Sequence, residues 1–568
     1  MADLLQFLLI LFPFGLAIFL LVIKRWKADT TGIIVWILVS ILAYLLATPL
    51  MDIFVISLAG IVDSLKITLM VGASIFMITY MSESGALRRI IVFVKTLKGS
   101  HPAWQILYLN FGFGCFLVSI GATPVSILPP IMIALGFPPV AAVALPAIGY
   151  DPLTTYALLG IPAVVFTGEM AQLGDLGILQ QAVPSLQEVG MTFSLYMPVI
   201  STGIAISMLF IAGGVKMLKD PSSLLVAILT GTTAGITAII SNYLGIVTLT
   251  GIISGIAVLV VLGIFAWSQG YPLLDRSSLT EEDREIEQKM SLRRALSPWL
   301  LLIIFALITN LIQPIFNLLF YELPFPVTIG DFTLNTRFLW QAYTWVIVAV
   351  ILSFIFLPSD KQTLRRTGSL FWKRGKRPMI SAAIFFAVAW ILNNSSPNDN
   401  SLNMVVILSE FTSTNFGMIF PFLVPFIGFF GGFVSGSETS SIKMFSRYHV
   451  QTSNALNLDP LTMATASGVG GGLASVITPA KVQNAAATID EIGIEGQVIK
   501  KTILIALVMV SALSILTVFW ASSFPIINPP LIAALLLTYV CISVLIFCIA
   551  FMLKSKTPHS PDSGLDQL

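Results

Sequence analysis

The sequence predicts an all-α polytopic membrane protein of inverted-topology repeats, with re-entrant hairpins and discontinuous helices. Three observations carry this. Of the 568 residues, 56% are apolar and only 10% are Asp, Glu, Lys or Arg, against about 25% charged residues in an ordinary soluble domain. Apolar runs long enough to cross a bilayer recur from end to end. Two longer apolar zones, 105–166 and 403–487, are broken by Gly, Pro, Ser and Thr at matching places in the two halves.

So little charge cannot cover a soluble surface of this size. A cytosolic enzyme, a nucleic-acid binder and a disordered scaffold are excluded. The net charge of +2 is too balanced to imply an anionic polymer as partner. Cys115, Cys541 and Cys548 lie inside apolar runs and read as small buried hydrophobes, not as a disulfide framework. His101, His449 and His559 are the only histidines, so no metal centre is expected, and no cofactor.

A helix needs about 20 apolar residues to cross about 30 Å of hydrocarbon. The runs 5–23, 31–50, 65–81, 193–213, 223–241, 245–266, 297–319, 338–357, 378–394, 502–523 and 530–553 meet that length. The first reads as an uncleaved anchor with its N-terminus outside. Asp3 stands where a basic n-region would, and Lys24, Arg25 and Lys27 follow the apolar run. Basic segments at 24–27, 88–98, 361–377 and Lys554/Lys556 are assigned to the cytoplasm. The acidic or polar stretches 51–63 (Asp52, Asp63), 167–192 (Glu169, Asp175, Glu188), 321–336 and 395–402 are then outside.

This divides the chain into a first membrane repeat at 1–267, an amphipathic cytoplasmic linker at 268–296 and a second repeat at 297–556. A polar tail, 557–568, is expected to be disordered, with the C-terminus cytoplasmic. Each half runs three spans and then a broken zone, with opposite sense, as in inverted repeats. A shift of 315 residues (436 − 121) lays Gly121 on Gly436 and Ser126-Ile127 on Ser441-Ile442. Nearby, LGFPP (135–139) is similar to LNLDP (456–460), and GIP (160–162) to ITP (477–479).

Each zone reads as a hairpin followed by a broken helix. The tips are Gly121–Pro124 and Ser435–Ser441; the breaks lie near Tyr150–Thr155 and Gly470–Pro479. Non-helical backbone at membrane depth must be buried in protein or line a wet cavity. Half-helix N-termini offer free N–H groups and a positive dipole end to a small anion. Candidate binding residues are Gly121, Ala122 and Thr123 in the first tip, and Ser435, Gly436, Ser437, Thr439, Ser440 and Ser441 in the second. Thr478 and Lys481 at the second break join them. Their hydroxyls can donate to a carboxylate. The same small residues also admit a plain packing role between membrane helices.

An ionisable residue in the membrane costs about 2.5–3.5 kcal/mol on insertion scales. Glu438 in the second tip and Asp151 in the first break read as ion-coupling carboxylates, and Lys481 as the counter-charge for a bound carboxylate. A structural bridge between Glu438 and a lysine is the competing reading. Lys443 and His449 are expected to snorkel to the outer interface.

At these residues the chain resembles the L-lactate permease family. GFVSGSETSSIKMF (432–445) is similar to the family's small-residue tip before a short helix, and GVGGGLASVITPAKVQNAAATI (468–489) to its Gly-rich stretch leading to Ser-Pro-Gln. FGFGCFL (111–117), LGFPPVAA (135–142) and GIP (160–162) match in the first zone. The chain departs where the family carries a Glu before a Gly-Ala-rich stretch. Val118 stands there, Glu438 replaces the family's tip Asp, and Lys481 replaces a Ser.

The resemblance implies a secondary transporter in the cell membrane. It would import a small monocarboxylate such as lactate or glycolate by cation symport, with H⁺ favoured over Na⁺, through an elevator-like motion. The partners are a small organic anion, a coupling cation and the bilayer, with no nucleic acid; a homodimer is compatible with this. A dicarboxylate or inorganic-ion carrier is the alternative, since Lys481 and Lys443 together would suit a doubly charged substrate. A membrane-embedded enzyme is the remote one. No GxxxxGK[ST], HExxH or GxSxG motif occurs, and the longest polar loop is too short to bury a core.

Overall fold

The computed structural model describes residues 4–523, apart from Arg25, 97–101, Ala122, 269–273, Asp275, Ser278, Asp490 and Ile492. The expected span 530–553, Lys554/Lys556, Cys541, Cys548, His101, His559 and the tail 557–568 lie outside the described residues. Among those described, nine helices are long and apolar enough to cross a bilayer, or ten if Ser297–Asn310 and Gln313–Glu322, bent by 83°, form one span. Large apolar side chains such as Phe12, Ile236, Val260 and Ile264 are exposed, while Thr79, Ser207, Thr230 and Thr465 are buried. That inside-out distribution suits lipid as the solvent. The chain is an all-α polytopic membrane protein. The one described sheet is a two-stranded hairpin, Pro326–Ile329 with Phe332–Asn335, inside the expected external stretch 321–336.

Several expected loops are helical. The basic segment 361–377 and the span 378–394 form one 34-residue helix, Lys361–Asn394. Asp360 caps its start, accepting from the Gln362 and Thr363 amides. Its Lys, Arg and Leu residues are good helix formers, and charge content marks water exposure, not the end of a helix. The stretch 51–63 is the helix Leu50–Asp63, followed after Ser64 by Leu65–Glu83. These two run antiparallel along Lys361–Asn394. Gly60 lies against the Ala387 backbone, Gly72 against Met379, and Gly375 approaches Ile75. The start of the expected external loop 167–192 belongs to the helix Ala157–Asp175.

Both broken zones are hairpins followed by interrupted helices. The first hairpin runs out through Pro102–Ile106, a π-helical stretch Leu107–Phe113 and Gly114–Ser119, and returns as Pro124–Ala134. Then come Pro139–Ile148, a 3₁₀ turn Asp151–Tyr156, and Ala157–Asp175. Leu158, Leu159 and Gly160 are left-handed, at φ of 54°, 60° and 74°. Each left-handed leucine costs about 1–2 kcal/mol, so surrounding packing must hold this break. The second hairpin pairs Phe420–Ser435 with Glu438–Ala455 around Gly436 and Ser437. Pro460–Gly472, the 3₁₀ turn Ser475–Ile477 and Pro479–Ala487 follow.

The zones interlock reciprocally. Ala157–Asp175, beyond the first break, packs on the returning arm Glu438–Ala455 of the second hairpin. Pro479–Ala487, beyond the second break, packs on the returning arm Pro124–Ala134 of the first. A separate outer bundle is made by Ala28–Leu45, Leu50–Asp63, Leu65–Glu83, Ala342–Ser353 and Lys361–Asn394. Within the expected linker, the helix Glu281–Lys289 is capped by Thr280. It docks on Ala86–Lys95 through Arg89–Glu287 at 3.0 Å and Lys95–Asp283 at 2.9 Å.

Candidate functional site

The second hairpin is held by close backbone contact. A Cβ on Gly432 would overlap the Gly471 carbonyl, and one on Gly470 the Pro425 carbonyl. The glycines of GVGGG therefore serve packing, and the helix breaks only after them, from Leu473. Ser435 donates to the Gly431 carbonyl at 2.7 Å and Ser441 to the Gly428 carbonyl at 2.8 Å. Gly436, at φ 75°, ends the outgoing arm. Ser437 then caps the returning helix, accepting from the Ser440 amide. Glu438, its first residue, sits at the positive end of the helix dipole.

Glu438 is 4% exposed. The Thr155 hydroxyl donates to its Oε1 at 2.7 Å. Its Oε2, against Gly472, has no partner among the described residues. Asp151 is 5% exposed, faces Ser475 and the Val476 amide, and among the described residues leaves Oδ1 without a partner. Lys481 donates to Ser475 Oγ at 2.7 Å and lies 4.5 Å from the centre of the Tyr150 ring. It acts through space on both Asp151 and Glu438, yet among the described residues it closes no ion pair within 4 Å. The Ser440 hydroxyl, on the same helix as Glu438, is also buried without a partner among the described residues. One ammonium and two carboxyls, each carboxyl with one oxygen unpartnered among the described residues, thus converge where the first break meets the second tip.

Of the residues expected from sequence, Glu438, Asp151 and Lys481 gather here, with Gly436 beside the Thr478 methyl; Ser440 follows Glu438 on the returning helix. Ser435, Ser441 and Thr478 spend their hydroxyls on backbone carbonyls, Thr478 on Ala474 at 2.9 Å. They are not donors to a ligand in this conformer. Thr439 is buried beside Ser440. A Cβ on Gly121, at φ 85°, would meet Met70, Ser74 and Leu158. Thr123 starts the arm Pro124–Ala134 in extended conformation, and Ala122 lies outside the described residues. The second tip meets the first break through the Thr155–Glu438 hydrogen bond. A structural bridge between Glu438 and a lysine is absent among the described residues.

Two expectations are corrected. Lys443 does not snorkel; it is 4% exposed and bonded to Glu169 at 2.5 Å and Asp63 at 3.2 Å. Both acids, read from sequence as external-loop residues, lie in packed helices, where burial demands a counter-charge. His449 is fully buried beside Phe420, Phe445 and Tyr448. Sequence reasoning missed Thr155, Tyr150 and Ser475. The first two flank Asp151 in YDPLTT, and that clustering was the available signal.

Residues 6–524 match the family model described as L-lactate permease. The glycolate permease GlcA of Escherichia coli K12 is 24% identical, with 90% of this chain and 94% of that protein covered. The L-lactate permease of Streptococcus iniae is 24% identical over 81% of this chain and 93% of its own length. That of Bacillus subtilis 168 is 23% identical over 88% and 92%. The chain belongs to the L-lactate permease family.

Proposed function

We propose that this chain is a secondary active transporter that imports a small monocarboxylate of the lactate or glycolate kind in symport with a cation, a proton in preference to sodium. Family membership and the names of the relatives support the substrate class. The charge balance around Glu438 supports the coupling and is the observation that carries it. With both acids ionised, Asp151, Glu438 and Lys481 sum to −1 in a buried site. A monoanion entering alone would double that charge at low dielectric. A cation arriving with it offsets the addition. A proton suits the site because Glu438 Oε2 and Asp151 Oδ1 are buried acceptors lacking a donor among the described residues. Symport also cancels the membrane-potential term, about 2.3 kcal/mol per charge per 100 mV.

Lys481 is the one ammonium at this cluster among the described residues, because Lys443 is neutralised by Asp63 and Glu169. That favours a monocarboxylate over a dicarboxylate. The hairpins and broken helices form the substrate-bearing unit of two inverted repeats, 1–267 and 297–556. The reciprocal packing of each broken helix on the other hairpin supports that pairing. This unit moves against the outer bundle in an elevator-like step, with the N-terminus outside and the C-terminus in the cytoplasm.

Purified protein in proteoliposomes tests the reading. An inward proton gradient should drive accumulation of labelled lactate, blocked by excess glycolate and not by succinate. No uptake of lactate, glycolate or a dicarboxylate under any proton or sodium gradient would overturn it.

A further inference from the structure

Among the described residues, two clusters of buried charge lie at the hairpins, and they differ in kind. Around Glu438 two carboxyl oxygens, its own Oε2 and Asp151 Oδ1, are unpaired among the described residues. Around Lys443 four charged groups, Lys443, Glu169, Asp63 and Lys66, are all paired. Lys443 Nζ bonds Glu169 Oε1 at 2.5 Å and Asp63 Oδ2 at 3.2 Å, and lies 4.7 Å from the centre of the Trp390 ring. Asp63 also accepts from Trp390 Nε1 at 3.0 Å and pairs with Lys66 at 2.7 Å. The four charges cancel, and none of their atoms is among the unpartnered ones. A closed, neutral network of this sort offers nothing to a ligand. It fixes one arrangement of the elements that carry it.

Those elements belong to both parts of the molecule. Lys443 lies on Glu438–Ala455 and Glu169 on Ala157–Asp175, both in the hairpin-bearing unit. Asp63, Lys66 and Trp390 lie on helices of the outer bundle. Among the described residues, Lys443–Asp63 is the one buried ion pair that crosses between the two. One turn further along the same helix, Arg447 donates to the Asn393 carbonyl, and Asn393 Nδ2 donates to the Lys443 carbonyl at 3.0 Å. The polar contacts across this seam therefore cluster on one face of the helix that begins at Glu438.

We infer that Lys443 and Asp63 form a latch between the hairpin-bearing unit and the outer bundle, an ion pair that must open whenever the unit moves. This rests on the moving-unit reading above. Glu169 stays with Lys443 on the same unit, so the ammonium keeps a counter-charge when the latch opens. Lys66 does the same for Asp63. Each half is left neutral (Lys443 with Glu169, Asp63 with Lys66), which makes separation feasible inside a membrane. Asp63 and Lys443 are thus positioning residues for transport, and neither touches the substrate.

Spin labels on Asp175→Cys and Asn398→Cys, both exposed positions, in nanodiscs report the distance between unit and bundle, with Cys541 and Cys548 replaced by Ser. Wild type should show two distance populations whose ratio responds to lactate. Asp63→Asn should lower the population packed as seen here by about fivefold or more, and Asp63→Glu should restore it. Trp390→Phe keeps the ring but removes the second anchor of Asp63, and should shift the ratio in the same direction by less. In proteoliposomes Asp63→Asn should change the maximal uptake rate and leave KM for lactate within about twofold. Two populations whose ratio is indifferent to Asp63→Asn and Trp390→Phe would overturn the latch alone. A single population in wild type, with and without lactate, would overturn both the latch and the moving unit.

Discussion

Thr155 and Glu438 stand 283 residues apart, and the hydroxyl of one donates to the carboxyl of the other at 2.7 Å. Their bond joins the break in the first interrupted helix to the tip of the second hairpin. It is the one side-chain hydrogen bond that Glu438 makes among the described residues. Thr155→Val would leave a buried carboxyl with neither oxygen bonded, a penalty of about 1–3 kcal/mol. Lactate uptake should fall about tenfold or more, while Thr155→Ser should stay within about twofold of wild type. Initial rates in proteoliposomes check both.

Glu438→Gln preserves shape and removes the titratable group. If Glu438 couples, gradient-driven uptake should be lost while exchange of internal for external lactate persists, because exchange needs no net movement of the coupling ion. Counterflow and gradient-driven uptake measured on one preparation separate these. Equal loss of both would assign Glu438 to binding or to structure.

Lys481 has no carboxylate within 4 Å among the described residues and rests on Ser475 and the Tyr150 ring. An ammonium so placed is free to meet an incoming carboxylate. Lys481→Met should raise KM for lactate by at least about tenfold and abolish the thermal shift that lactate produces. Tyr150→Phe keeps a π face under the cation, worth about 0.5–2 kcal/mol, and should be near-neutral. Tyr150→Leu should weaken binding by severalfold. Thermal-shift titration with lactate reads all three.

The sequence exposed what depends on local rules. Pro, Gly and Ser clusters mark where helices cannot continue, so the tips at Gly121 and Gly436 and the interruptions after Gly149 and Gly472 were legible. The value of an intramembrane charge was legible too, and Asp151, Glu438 and Lys481 do converge. Partnership was not. Nothing local says that Glu438 faces Thr155 rather than a lysine, or that Lys443 meets Asp63, because these pairs are set by how the two halves interlock. Charge also misplaced Asp63 and Glu169. An acidic residue near the end of an apolar run looks like a loop residue until its buried counter-charge is known. Helix ends in charged sequence were equally hidden, as Lys361–Asn394 shows: a helix leaving the membrane loses its apolar pattern without losing its hydrogen bonds.

The close backbone contact between Gly432 and Gly471 predicts a stability effect separate from transport chemistry. A methyl on Gly432 would fall on the Gly471 carbonyl, and both helices would have to part. Overpacking of this kind costs about 1–3 kcal/mol or more. Gly432→Ala should lower the melting temperature in detergent by several degrees, and Gly432→Leu should prevent recovery of folded protein. Gly168, with open space around its added Cβ, should accept Ala with little change in melting temperature and serves as the control.

The linker offers a prediction in pH. Burial alone would raise the carboxyl of Asp283, but the Lys95 ammonium and the Thr280 hydrogen bonds outweigh it and hold the group below its ordinary value of 3.8. A depressed carboxyl contributes its stabilisation above that ordinary value and loses it as pH falls through the lowered one. Docking of Glu281–Lys289 on Ala86–Lys95 should therefore be constant between pH 8 and pH 5. Asp283→Asn mimics the protonated form at any pH. It can still accept from the Thr280 amide, so it isolates the charge. Hydrogen exchange of the 281–289 amides, after correction for the intrinsic pH dependence, should be unchanged across that range in wild type. In the variant it should be about two- to fivefold faster, as expected for a partly exposed ion pair. High salt should move wild type toward the variant and shift the variant less, since Arg89–Glu287 remains in it. Protection that falls steadily from pH 8 to pH 5 in wild type would mean that another titrating group holds the linker.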